Sequence, residues 1–199
     1  MTKRILVVPA VRKIHDEIYY CVDKNWYKFL NYVYDKPEIQ ISFKIIKKPD
    51  VIILSGGNDI LKISKKKQDK IREKINNDLL KYSMINNIKL IGICAGAQFV
   101  ANKFGTKLIK LKNHIGYHKL NLSKNLINKI PTIKNTNSFH NYGINKISKQ
   151  FTPIGFADDN TVELFIHNKY KILGIMWHPE RYKKFRVFDK KIFLQNLWI

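Results

Sequence analysis

The chain is predicted to fold as an α/β protein with a doubly wound, mostly parallel sheet and helices on both faces. Two observations lead to this prediction. In the first half, short apolar runs alternate with longer segments of helical periodicity, and the run at residues 51–54 is apolar at every position, as in a parallel strand buried on both faces. Beyond residue 104 the pattern becomes strand-rich, which predicts a small antiparallel region in the C-terminal half.

The individual elements follow from local patterns. Apolar residues between Ile18 and Val33 recur at helical spacing, and the long polar segment that precedes the central strand has helix-forming composition. Turn residues such as Asp158, Asp159 and Asn160 separate the later strands. The predicted strands are residues 3–8, 41–46, 51–54, a central strand ending at Cys94, 152–156, 161–167 and 171–176; the predicted helices are 16–34 and 66–87.

Length and composition suit one globular domain, residues 1–199. The chain has 199 residues, of which 45% are hydrophobic, enough for a sizeable core. No apolar stretch is long enough to span a bilayer, and none has the pattern of a signal peptide, so we expect no membrane association. Two cysteines argue against a disulfide framework and suit a reducing, cytoplasmic location.

The formal net charge of +22 raises the question of nucleic-acid binding. Lysine greatly outnumbers arginine and is accompanied by abundant isoleucine and asparagine, which is typical of an AT-rich genome. The basic residues are divided evenly between the two halves and form no tail. We therefore predict no nucleic-acid partner.

The segment around Cys94 is the most informative in the chain. A hydrophobic run breaks into Gly92-Ile93-Cys94-Ala95-Gly96, and a helix-forming sequence follows at once. This is the layout of a nucleophile elbow, in which a sharp strand-to-helix turn exposes one side chain and flanking glycines relieve the crowded backbone. The amides at the helix start would also stabilise a thiolate. Cys94 is thus a candidate nucleophile for acyl transfer, although a lone cysteine at a strand end is more often structural.

A nucleophilic thiol needs a base, and the base needs a group that orients it. His178-Pro179-Glu180 supplies both, because residues two apart in an extended segment point to the same side. We therefore predict that Cys94, His178 and Glu180 form a catalytic triad.

These motifs resemble the class I glutamine amidotransferases and the related gamma-glutamyl hydrolases, and the resemblance covers most of the chain. It implies that the backbone amides of Gly57 and Ala95 form the oxyanion hole. It also implies a cysteine-dependent cleavage of a gamma-glutamyl amide bond, with no metal or organic cofactor. The residues implied to bind the glutamyl group are Gly56, Gln98, Asn137, Ser138, Phe139 and His140.

Two departures from the family pattern concern substrate identity. The helix before the elbow commonly opens with Arg-Asp followed by Glu, whereas Arg72-Glu73 and Asn76 stand here, and Asn141 follows His140 where many relatives have Gln. The whole chain resembles one small branch, the gamma-glutamyl-CDP-amidate hydrolases of bacterial capsule biosynthesis, notably at its start with Arg12, Asp16, Glu17 and Asp23-Lys24-Asn25-Trp26. That branch cleaves CDP-glutamine to glutamate and cytidine diphosphoramidate.

An anionic, nucleotide-linked substrate also agrees with the charge pattern. No Asp or Glu occurs between Asp78 and Asp158, and the interval contains many lysines. A positive field there would concentrate a phosphate-bearing substrate, and Lys112 and Lys119 are the candidate contacts. Three alternatives stay open: a lysine-rich outer face, an ammonia-donating glutaminase subunit with a separate synthase as its partner, and a hydrolase of gamma-glutamyl amines or peptides.

His114 and His118 are the one pair with a spacing that metal ligands also use. Since the sequence near them offers no acidic or thiol partner, we predict no metal site.

Overall fold

The computed structural model describes residues 2–112, 114–123 and 135–195. In chain order its elements are β1 (Arg4–Val8), β2 (Ala10–Ile14), β3 (Glu17–Cys21), α1 (Trp26–Val33), β4 (Glu38–Ile41), β5 (Val51–Leu54), α2 (Lys67–Ile85), β6 (Lys89–Ile93), α3 (Ala95–Lys103), β7 (Ile109–Lys110), β8 (Ile115–Lys119), β9 (Asn121–Leu122), β10 (Asn135–Phe139), β11 (Tyr142–Gly143), β12 (Phe151–Phe156), β13 (Val162–His167), β14 (Ile172–Ile175), a 3₁₀ turn (Pro179–Arg181) and α4 (Val187–Leu194).

Within the described ranges, eight strands form a central sheet in the order β4-β1-β5-β6-β14-β13-β12-β9. The first five strands of that order are parallel to one another, and β13, β12 and β9 continue the sheet in antiparallel fashion. The predicted fold class is therefore confirmed, including the antiparallel region in the C-terminal half.

Alternating side chains of the parallel strands enter two separate cores. Ile5 and Val7 of β1 pack on the face covered by α1 and α4, whereas Leu6 and Val8 pack on the face covered by α2 and α3. Strand β5 is buried at all four positions for the same reason, since helices cover both of its faces. At about 25 cal/mol per Å² of buried apolar surface, these two cores supply the main stabilisation of the sheet.

Two predicted elements were wrong. Residues 16–34 do not form one helix: β2 and β3 pair as an antiparallel hairpin, and α1 begins only at Trp26. His15 and Asp16, at the tip of this hairpin, have φ of 46° and 67°, as a two-residue hairpin turn requires. The helical spacing of Ile18 and Val22 therefore did not reflect a helix.

The second wrong element is the strand at residues 41–46. The observed strand, β4, ends at Ile41 because its partner β1 continues for only one residue beyond the pair Val7 and Ile41. After one more backbone bond, from the Ser42 amide to the Val7 carbonyl, the chain bends, and the Gln40 side-chain amide donates to the Lys44 carbonyl. In the part of the chain that the structure describes, no helix is long and apolar enough to cross a membrane.

Candidate active site

Cys94 lies at the sharp turn between β6 and α3, at the carboxyl end of the parallel sheet. Its φ of 50° and ψ of −108° are unusual for a residue with a side chain. The turn is tight because α3 starts directly against the sheet: a Cβ on Gly92 would lie 2.7 Å from the Ala97 nitrogen, and one on Gly96 would collide with the Leu54 carbonyl. The two glycines therefore allow the geometry that presents Cys94.

His178 follows β14, the strand beside β6, and its imidazole reaches Cys94. The Cys94 thiol and the His178 ring share a hydrogen bond, and His178 Nδ1 lies 2.7 Å from Glu180 Oε1. All three side chains are buried. Because Nδ1 is bonded to Glu180, Nε2 is the ring atom available to the thiol.

The local geometry of this pair differs from the prediction. Glu180 lies in the 3₁₀ turn rather than in an extended segment, with Pro179 in its first turn. A turn of this kind still brings the carboxylate back to the imidazole two residues earlier. The predicted contact is present, although the predicted backbone conformation was wrong.

The charges of the thiol and the imidazole stabilise each other. Burial disfavours the thiolate, but the positive charge and hydrogen bond of His178, with smaller help from His140 and the Ala95 amide, lower the pKa of Cys94. Burial also opposes the imidazolium, yet Cys94 and Glu180 together raise the pKa of His178 to about 9. Both shifts favour a thiolate–imidazolium pair.

Ala95 and Gly56 lie close to Cys94, and Gly57 follows Gly56 in the chain. The Ala95 amide donates a hydrogen bond to the Cys94 sulfur. Gly56 packs so closely that a Cβ there would lie 2.8 Å from His178 Cε1 and 3.4 Å from Cys94 Cβ. Gly57 has φ of +116°, a region that favours glycine. Ala95 is thus next to the candidate nucleophile, and the oxyanion role of Gly57 and Ala95 stays a prediction.

A pocket of about 200 Å³ opens beside these residues, and its lining includes Gly56, Gly57 and His178. Two cations also line it, Arg12 and Arg181. The Arg181 Nε lies 3.4 Å from a carboxylate oxygen of Asp23. Asp23 and Glu180 line the pocket as well, so it carries two cations and two carboxylates, and His178 connects it to Cys94.

The predicted glutamyl-binding residues lie nearby, but several of their side chains bond to the protein itself. Asn137 accepts from the His178 amide and donates to the His178 carbonyl, each at 2.8 Å. Ser138 Oγ donates to the His114 carbonyl at 2.5 Å, and Gln98 Nε2 donates to the Tyr142 carbonyl at 2.8 Å. These side chains hold the site together, and their role in substrate binding stays a prediction.

Phe139 and His140 point in different directions at the end of β10. The Phe139 side chain is 46% exposed, and its ring centroid lies 5.8 Å from that of His178 and 5.1 Å from the Arg181 guanidinium. His140 is buried and lies 3.6 Å from Glu163. Phe139 is therefore the member of this segment most open to a ligand.

Lys112 and Lys119 are exposed and do not line the pocket beside His178. Lys119 Nζ lies 3.9 Å from an oxygen of Asp158. A long carboxylate-free stretch of sequence is thus partly compensated in space by acidic residues outside it. Contact of Lys112 and Lys119 with the substrate stays a prediction. The cations that do line the pocket, Arg12 and Arg181, were missed as candidate site residues.

Arg72 supports the turn at Gly56 and Gly57, because it bonds to Ser55 just before that turn. Its guanidinium is buried and donates to the Pro9 carbonyl, to the Ser55 carbonyl at 3.0 Å and to Asn76 Oδ1 at 2.9 Å. Burial lowers the pKa of Arg72 to about 9. Asn76 is therefore a neutral partner of Arg72, whereas a carboxylate at this position would give the arginine a charged partner.

Sequence reasoning also missed a cluster of His114, His118, His140 and Glu163. The argument against a metal at His114 and His118 assumed that no acidic group was near. Glu163 reaches them from β13, a distant part of the sequence, so that assumption was wrong.

The fold and this geometry define a class: α/β proteins with a cysteine on a nucleophile elbow and a histidine–carboxylate pair after the neighbouring strand. The class I glutamine amidotransferase pattern matches residues 14–197, and the chain belongs to that family.

Individual relatives agree with the family assignment. The chain is 38% identical over 130 residues to a gamma-glutamyl-CDP-amidate hydrolase of Campylobacter jejuni, an alignment that covers 65% of this chain and 62% of that protein. It is 30% identical over 139 residues to a glutamine-hydrolysing GMP synthase subunit of Picrophilus torridus, covering 68% and 70%. A solved glutamine amidotransferase from Thermotoga maritima has the same fold, with a TM-score of 0.64, 16% identity and coverage of 90% and 77%. The chain thus spans less than two thirds of the Campylobacter protein.

Proposed function

We propose that this protein hydrolyses gamma-glutamyl amide bonds through Cys94, His178 and Glu180. The observation that carries the proposal is the hydrogen-bonded chain from the Cys94 thiol through the His178 ring to the Glu180 carboxylate, next to an open pocket. Membership of the class I glutamine amidotransferase family supports the same chemistry.

In the first half of the proposed reaction, the Cys94 thiolate attacks the gamma-carbonyl carbon. The carbonyl oxygen becomes an oxyanion, which the amides of Ala95 and Gly57 receive. Protonated His178 then gives its proton to the departing nitrogen, so that the C–N bond breaks and a thioester to Cys94 remains. Glu180 keeps the imidazole oriented throughout.

In the second half, water hydrolyses the thioester. Neutral His178 takes a proton from the attacking water, and the C–S bond then breaks to release the Cys94 thiolate beside protonated His178. Glutamate leaves, and the thiolate–imidazolium pair forms again.

For the leaving group, we propose a nucleotide linked through a phosphoramidate, as in CDP-glutamine. Two observations support this: the 38% identical relative is a gamma-glutamyl-CDP-amidate hydrolase, and Arg12 and Arg181 line the pocket next to His178. Guanidinium groups suit phosphates because they offer paired donors in a planar fork. The product, cytidine diphosphoramidate, would supply the phosphoramidate of a capsular polysaccharide, as the resemblance to that branch implies.

The test compares three substrates with the purified protein. Glutamate release should show a much higher kcat/KM for CDP-glutamine than for glutamine or a gamma-glutamyl amine, because binding energy from the remote nucleotide can be used in the transition state. The preference should shrink at high salt, since the Debye length falls from about 10 Å at 0.1 M to about 3 Å at 1 M. Equal rates with no salt dependence would rule out the nucleotide substrate.

Matched variants locate the phosphate contacts. Arg12→Gln should lower kcat/KM for CDP-glutamine by about tenfold or more and leave the value for glutamine nearly unchanged. Lys119→Gln is the control, because Lys119 is exposed and lies beside Asp158. A larger effect at Lys119 or Lys112 than at Arg12 would instead favour the lysine-lined interval as the phosphate site.

One observation favours a second candidate, an ammonia-donating glutaminase. The chain is 30% identical to the Picrophilus GMP synthase subunit over 70% of that protein's length. A protein of this kind would use glutamine and pass ammonia to a separate synthase. Activity on glutamine that appears only after a synthase partner is added would support this alternative over CDP-glutamine hydrolysis.

A further inference from the structure

A second group of chemically active side chains lies outside the candidate triad. His114 precedes β8, His118 lies on β8, His140 follows β10, and Glu163 lies on β13. One nitrogen from each histidine and a carboxylate oxygen of Glu163 all lie within 4.8 Å of one another. His114, His140 and Glu163 are buried, and His118 is partly buried.

Hydrogen bonds fix which ring nitrogen of each histidine faces the centre. His114 Nε2 lies 2.8 Å from Asp159 Oδ2, His118 Nδ1 lies 2.9 Å from the Lys119 carbonyl, and His140 Nδ1 lies 3.0 Å from the Tyr142 carbonyl. Carbonyls and carboxylates accept hydrogen bonds, so each of these outer nitrogens carries the proton. In the neutral ring the inner nitrogen then presents a lone pair.

The inner atoms are buried without hydrogen bonds in the part of the chain that the structure describes. These atoms are His114 Nδ1, His118 Nε2, His140 Nε2 and both carboxylate oxygens of Glu163. His114 Nδ1 lies 3.8 Å, His118 Nε2 3.5 Å and His140 Nε2 3.6 Å from a Glu163 oxygen. These distances are too long for good hydrogen bonds. A carboxylate at 0% exposure is costly unless a cation neutralises it.

The geometry points to a binding site for one divalent metal ion, with Zn²⁺ as the best match, held by His114, His118, His140 and Glu163. Three imidazoles and one carboxylate form a donor set that suits Zn²⁺ in tetrahedral coordination, with bonds of about 2.0–2.2 Å. The ligand atoms would have to move closer together by roughly an ångström to reach such bonds. Outer-nitrogen hydrogen bonds to carbonyls and carboxylates are the usual second layer around metal-bound histidines.

The site is of the closed, structural kind, because four protein ligands fill a tetrahedral shell. Its ligands join β13 of the central sheet to the two-stranded sheet of β8 and β10. That small sheet carries Asn137, whose side chain holds the backbone of His178. The metal would therefore fix the position of the two-stranded sheet that supports the candidate base.

A competing arrangement has protons in place of the metal. Protonated His118 and His140 could neutralise Glu163 without any ion, and the two arrangements differ in metal content. The metal proposal predicts close to one equivalent of zinc per chain by elemental mass spectrometry after purification without chelators. It also predicts that chelation lowers the Tm and that added Zn²⁺ restores it.

Variants assign the ion to this cluster. Glu163→Gln and His118→Asn should each weaken Zn²⁺ affinity by about 100-fold or more in competition with a chromophoric chelator, because one of four ligands is lost. Two control variants should each retain one equivalent of zinc. His167→Asn changes a buried histidine that lies on β13, like Glu163, but outside the cluster, and Cys94→Ala removes a buried thiol that could itself bind zinc.

Co²⁺ provides a measurement that needs no variant. Bound in place of Zn²⁺, it should give the intense visible absorption of a tetrahedral N/O site without the near-ultraviolet band of a thiolate ligand. Wild-type protein that contains no metal and binds neither Zn²⁺ nor Co²⁺ would overturn the proposal. So would metal that is lost in Cys94→Ala but kept in Glu163→Gln. None of these results depends on turnover, so the outcome is separate from that of the proposed hydrolysis.

Discussion

The two sides of the candidate site are built in different ways. Cys94 stands on an elbow between β6 and α3, where close backbone packing determines the turn: Gly92 lies against the start of α3, and Gly96 lies against Leu54 of the neighbouring strand β5. The opposite side is the two-stranded sheet of β8 and β10, whose large apolar side chains Ile115, Tyr117 and Phe139 are exposed and which contacts the base through polar groups. Asn137 bonds to His178, and the Tyr182 hydroxyl accepts from the Asn137 amide. Packing thus defines the nucleophile, and a hydrogen-bond network positions the base.

The largest effects are expected at the base itself. His178→Ala should reduce turnover by about 10⁴-fold or more, and Glu180→Gln by about 10²- to 10⁴-fold, because the second variant keeps an imidazole but loses its charged orienting partner. Steady-state glutamate release measures both. Small and equal losses would mean that this segment is only a structural loop.

Glycine substitutions separate packing from conformational strain. Gly96→Ala should lower the free energy of unfolding by about 3 kcal/mol or more, since its Cβ would collide with the Leu54 carbonyl. Gly116→Ala, on β8, should cost only about 1–2 kcal/mol, because φ is +113° but no atom lies within 4 Å of the added Cβ. Urea denaturation measures both changes. Similar losses for the two variants would contradict the difference drawn between the two sides.

Asn137→Ala tests the polar side directly. It leaves the buried amide and carbonyl of His178 without partners, so stability should fall by about 2–4 kcal/mol and turnover by about tenfold. Thr136→Val is the matched control, because it removes one contact with Tyr182 and none with His178. Equal effects on kcat in the two variants would show that the β8–β10 sheet does not position the base.

The ion pair predicts a pH profile. In a Cys21→Ser background, alkylation of Cys94 should remain fast well below pH 8.5, the usual thiol midpoint, because His178 lowers the pKa of Cys94. Turnover should decline as pH rises through about 9, where His178 loses the proton needed by the leaving group. In His178→Ala, burial remains but the cation is gone, so alkylation at pH 7 should slow by about tenfold or more. An unchanged midpoint in that variant would exclude the ion pair.

The two sides also differed in how well the sequence predicted them. The elbow, β5 and the helix before β6 could be predicted because periodicity and glycine spacing reflect nearby packing. The hairpin of β2 and β3 was missed because its apolar residues also fit a helix. The cluster around Glu163 was missed because its members are close only after β13 pairs into the sheet. Arg12 and Arg181 reach one pocket from opposite ends of the chain, which a local pattern does not reveal.

The central claim is that Cys94 forms the covalent bond to the glutamyl group. A gamma-electrophilic glutamine analogue, followed by intact-mass measurement and peptide mapping, tests it most directly, since the label survives purification. We expect one label per chain, on Cys94, with activity lost in proportion. Cys94→Ala should take up no label, remain folded and have turnover at least about 10⁴-fold below wild type. Labelling of Cys21 instead, or full activity in Cys94→Ala, would contradict the account.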